Sequence, residues 1–110
     1  MGPIIECLLN DIETLVQARW NDASLGERAG AYAALKVCAA DLREHLEKRG
    51  IASGYAGEKL FKVVHHTAGT LGYGERAGTG FTEEQERQFA LGHLSTLRSV
   101  VRDAFAGVDN

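Results

Sequence analysis

The sequence predicts an all-α fold, a single-domain antiparallel four-helix bundle with a Gly-rich loop between helices 3 and 4. Three observations carry that expectation. Apolar residues recur at helical spacing in four segments, and no stretch of useful length alternates as a strand would. A glycine-dense stretch containing Gly69, Gly72, Gly74, Gly78 and Gly80 breaks the pattern once. At 110 residues one domain is the expected count, long enough to bury roughly two-thirds of its unfolded surface in one core.

The first helix is expected from Pro3 to about Asn21, because a proline is tolerated in a first turn whose N–H would have no partner anyway. Ile4, Ile5, Leu8, Leu9, Ile12, Leu15, Val16 and Trp20 share one side of it. Arg19 projects from within that arc, so its head must snorkel outward or meet a carboxylate. Ser24 with Glu27 three residues on reads as a capping box for the second helix, which Gly50 stops after Arg49. Tyr32, Leu35, Ala39, Leu42 and Leu46 form its expected buried stripe, while Ala34 and Val37 lie off that stripe.

The short link from Gly50 to Gly54 forces the third helix, expected from Tyr55 to Thr70, to turn back. Its inner face reads as Leu60, Phe61, Val64, Thr67, Ala68 and Leu71. After the glycines, Thr82 with Gln85 caps the fourth helix, and Glu83 and Glu84 suit the positive end of its dipole. Phe89, Ala90, Leu94, Leu97, Val100, Val101, Ala104 and Phe105 make a broad apolar arc there, and the tail from Gly107 is expected to fray.

Composition narrows the functional classes. Residues 1–27 hold five acids against Arg19 alone, and residues 28–62 hold seven Lys or Arg interleaved with four acids. That mixture forms no basic stripe, so a nucleic-acid partner is not expected. No apolar run approaches the length of a membrane span. The N-terminal residues lack the basic-then-apolar pattern of a secretory signal, and Cys7 and Cys38 show no metal spacing, so cytoplasmic residence with free thiols is the expectation.

Among residues that carry chemistry, His93 stands out because it falls inside the apolar arc of the fourth helix, where a buried imidazole must find a hydrogen-bond partner or stay neutral. With His65 and His45 it makes a candidate ligand-binding set drawn from three helices, the form a three-ligand site would take. His66, one residue on from His65, is expected to point towards solvent. Neither a metal nor a cofactor is expected, since Glu-x-x-His pairs are missing. The glycine stretch precedes a helix N-terminus, but it follows a helix instead of a strand and carries no G-K-[ST]. Its Tyr73 and Arg76 are therefore candidate partner-binding residues at a loop tip.

Glu44 with Glu47, and Glu83 and Glu84 with Glu86, resemble in spacing the E-x-x-E magnesium sites of all-helical nucleotide pyrophosphohydrolases. Glu44 and Glu47 fall on the polar side of their helix, however, and too few acids face inward to complete an octahedral oxygen set. Solvated surface is the expectation for both groups. Cys38 borders a buried stripe and Cys7 has Glu6 and Asp11 for neighbours, which disfavours a thiolate nucleophile at either. The function expected from the sequence is therefore a small non-enzymatic interaction protein, a regulator, inhibitor or immunity-type factor, that binds a protein partner or a second copy of itself. The alternative is a ligand- or metal-binding bundle with a His-lined pocket.

Overall fold

Among the described residues four helices form: α1 (Pro3–Gln17), α2 (Leu25–Lys48), α3 (Tyr55–Thr70) and α4 (Glu83–Asp109). The structure, a computed structural model, describes residues 2–51, 54–73 and 80–109, the last three through their backbone alone. Among the described residues there is no strand. Each helix packs on the next and α4 packs back on α1, with α2 and α4 across the diagonal. Contacts pair Lys59 with His93 and His66 with Glu86, so residue numbers rise along α3 as they fall along α4. α4 spans about 40 Å at 1.5 Å per residue, most of the 47 Å long axis of the molecule.

The buried side chains follow a narrow seam in every helix. Ile5, Leu9, Ile12 and Val16 line α1; Leu35, Ala39, Leu42 and Leu46 line α2; Ala56, Leu60 and Val63 line α3; Ala90, Leu94, Leu97, Val101 and Phe105 line α4. Steps of three and four residues alternate along most of these rows, the spacing of side chains that interlock between nearly parallel helices. A seam this narrow leaves the flanks of the broader expected arcs outside. Leu8, Val64, Tyr32 and Val100 are half-buried, and Phe61 and Phe89, expected on inner faces, are exposed.

Local chemistry accounts for the helix ends. Ser24 Oγ accepts from the Glu27 N–H at 3.1 Å and Glu27 returns the bond to the Ser24 N–H, so both sides of the box at the start of α2 are made. Thr82 and Gln85 make the same reciprocal pair at the start of α4. At the other ends, Gly50 (φ +71°) and Gly72 (φ +80°) take the left-handed conformation that closes a Schellman turn. The Ile51 N–H returns to Leu46 and the Tyr73 N–H to Ala68, satisfying carbonyls the helices leave open.

α1 ends at Gln17, four residues short of the expected Asn21, and the cause is tertiary. The Arg87 guanidinium, 3% exposed as a residue, donates to the Val16 carbonyl at 2.9 Å and the Ala18 carbonyl at 2.7 Å, while its other bonds go to Glu83 and Glu84. The Trp20 indole takes the Leu15 carbonyl, and the Trp20 N–H donates to Glu83. With the Leu15 and Val16 carbonyls and the Trp20 N–H engaged outside the helical ladder, a further α-turn loses most of the bonds that would carry it. Arg19 meets Glu84 at 3.4 Å, one of the two outcomes its position allowed. At its C-terminal end α4 continues through the residues expected to fray, as far as Asp109.

Candidate functional site

Folding consumes one of the four phenylalanines. Phe105 is 7% exposed, whereas Phe61, Phe81 and Phe89 are 63%, 47% and 40% exposed. These three are joined by histidines into a continuous run of rings across the outer face of α3 and the start of α4. Phe61 stacks on His65 at 5.6 Å, His65 meets His66 edge-on at 5.5 Å, and His66 lies 5.1 Å from Phe89. Phe89 in turn meets Phe81 edge-on at 5.4 Å, and His93 stacks on His66 at 5.5 Å with the planes 12° apart. Helical spacing builds the run: residues 61 and 65, and residues 89 and 93, are one turn apart and share a face.

An apolar groove of about 270 Å³ adjoins the run between α2 and α3, lined by Ala39, Ala40, Arg43, Leu60, Phe61 and Val64. The small side chains at positions 39 and 40 leave this space open. Phe61 therefore belongs both to the groove wall and to the ring face.

The ring face carries a positive corner. Lys59 Nζ lies 3.5 Å from His93 Nδ1 and 5.0 Å from the centre of the Tyr55 ring. Lys62 is paired with Glu58 at 3.1 Å, which holds the Glu58 carboxyl below the usual carboxylate range. Burial first, then the charges of Lys59, His66 and Lys62, push the His93 pKa below its ordinary value. A neutral His93 accepts the long Lys59 contact at Nδ1, which places its own proton on Nε2.

Of the histidines singled out from sequence, His93 is half-buried, and its partner is the Lys59 ammonium instead of the carbonyl, hydroxyl or carboxylate a core histidine would take. His65 reaches it only through His66. His45 stands elsewhere, in a second cleft of about 310 Å³ with Pro3, Ile4, Ile5, Lys48 and Arg49. Among the described residues no group of three or more His, Cys, Asp or Glu is placed to hold a metal ion. His66, expected to face solvent, is tucked between the helices with Nδ1 at 3.3 Å from Glu86 Oε1. Glu86 is 2% exposed, which corrects its expected place on a solvated surface, and Glu83 is drawn inward by Arg87.

Tyr73 is the last described residue before residues 74–79. It is half-buried and lies flat on Tyr32, with centroids 4.9 Å apart. Arg76 lies outside the described residues, as does the rest of residues 74–79 around it. Glu44 and Glu47 behave as expected, in exposed pairs with Lys48 and Arg43 one turn away. Cys7 and Cys38 are free thiols, and burial, then the carboxylates of Asp11 and Asp41, push Cys38 upward, away from thiolate chemistry. Helical spacing points Phe61 and Phe89 inward, and no local signal in the sequence marks the ring face they form instead.

No protein-family model, no curated protein and no solved structure matches this chain.

Proposed function

We propose that this chain is a small non-enzymatic interaction protein, and that it binds a protein partner through the ring face of α3 and α4. The observation that carries the reading is the exposure of three of its four phenylalanines on a run of rings joined through His65 and His66. Exposed phenylalanines forfeit burial worth roughly 1.5–3 kcal/mol each, and a contiguous aromatic patch beside a groove is the composition of protein-binding hot spots. The rings are also held in place by one another, so little side-chain freedom is lost on contact. A heterologous protein is the proposed occupant. A cytoplasmic setting belongs to the same reading, supported by two free thiols; no helix among the described residues is long and apolar enough to cross a membrane.

The test is affinity capture with the unaltered chain and with a Phe61→Ser/Phe89→Ser variant, each checked for helicity and thermal unfolding. Loss of a captured protein from a variant that folds normally is the expected result. Equal capture by both chains would move the interface off this face.

A further inference from the structure

Among the described residues Lys59 stands at the ring face with no carboxylate at ion-pair distance. Among the described residues its contacts are the Tyr55 ring and His93 Nδ1, while the nearby Glu58 is committed to Lys62. The charged and titratable groups facing His93 are Lys59, Lys62, Glu58 and His66 of α3, with Glu86 of α4 behind His66. Apart from Glu58, the charged side chains reaching this corner directly are cationic or become so on protonation. It is bounded by aromatic rings: Tyr55 on one side, and His93, His66 and Phe89 on the other.

We infer that the partner presents to this corner a carboxylate set beside an aromatic or branched apolar side chain, the carboxylate seating between Lys59 and His93 and the apolar group lying on the ring face. This rests on the protein-docking reading above and specifies the chemistry of what docks. The charge match is local: an anion supplies the pairing that Lys59 lacks, and the rings around it keep water away from the contact. Proton linkage follows. A carboxylate beside His93 offsets the repulsion from Lys59 and favours the imidazolium, so the complex holds more protons than its free components. Affinity then rises as pH falls through the histidine range, by at most about tenfold per pH unit for one proton.

N-Acetylphenylalanine tests this as a stand-in for a peptide C-terminus, with N-acetylphenylalanine amide as its uncharged control. Each is titrated into isotope-labelled protein, with amide and imidazole NMR shifts as the readout at about pH 7.5 and about pH 6. The expected result is saturable shifts at Tyr55, Lys59 and His93, with the acid bound about fivefold more tightly than the amide. That preference is lost in Lys59→Met, kept in Lys48→Met, and larger at the lower pH. Equal binding of acid and amide, or shifts centred on His45, Lys48 and Arg49, would overturn the carboxylate site and leave the docking face standing. Acid-selective binding at Lys59 alongside a Phe61→Ser/Phe89→Ser variant that still captures its partner would do the reverse.

Discussion

Replacing Arg87 with methionine removes a side chain that makes four bonds, two that tie the start of α4 to the end of α1 and two to carboxylates of α4 itself. Its stem stays apolar and of similar length, so the change isolates the guanidinium. Two of the lost bonds leave the carbonyls of Val16 and Ala18 without their donors, and leaving a buried acceptor unpaired costs about 1–3 kcal/mol. The other two leave Glu83 without its cation, while Glu84 keeps Arg19 at 3.4 Å. Glu83 is mostly enclosed, with 13% of its side chain exposed, whereas Glu84 is 50% exposed and water replaces much of what it loses. Breaking a fully buried pair costs about 3–5 kcal/mol. With one partner half-solvated and α1 free to fray at its end, about 3 kcal/mol is expected for the whole change. Urea unfolding followed by circular dichroism reads this as a lower midpoint at unchanged slope. Arg87→Lys should fall between the two, because one ammonium cannot span both carbonyls and both carboxylates. A loss under about 1 kcal/mol for Arg87→Met would refute the assignment of Arg87 as the tie between these helices.

Leu97→Ala, at a fully buried seam position of α4, should cost about 2–5 kcal/mol in the same assay. By contrast, Phe61→Ser should change stability by less than about 0.5 kcal/mol, since the side chain is mainly exposed. His93 should titrate below the ordinary histidine value by imidazole NMR, and Lys59→Met should raise it by removing one of the causes that follow burial. Because the folded pKa is depressed, the unfolded chain takes up the proton first. The His93 contribution to stability is therefore complete above about pH 6.5 and declines as pH falls from there towards the folded pKa, a decline that Lys59→Met should soften.

The helices and their caps were legible because each is written locally. Ser24 with Glu27, Thr82 with Gln85, and Gly50 all act within a few residues, and the structure uses each as the sequence implies. The width of each buried face was not legible. A periodic row gives the direction of the core but not how closely a neighbour approaches, and the close fit of seams lined by Ala39, Ala56 and Ala90 leaves Phe61 and Phe89 outside. Arg87 was invisible for a related reason: its partners are carbonyls about seventy residues away in α1, and backbone acceptors carry no side-chain signature. His66 and Glu86 pair only once α3 and α4 are placed side by side. The angular position of His93 marks it in the sequence, but not that its partner is the Lys59 cation of the neighbouring helix.

The central claim is that the ring face of α3 and α4 is where this protein meets its partner, and photo-crosslinking in living cells tests it most directly. A photoreactive phenylalanine analogue is placed in turn at Phe61, at Phe89 and, as a control on another exposed apolar site, at Val37 of α2. A heterologous protein adduct from positions 61 and 89, absent from position 37, is the predicted result. Adducts confined to position 37, or adducts at 61 and 89 with the mass of two copies of this chain, would contradict it.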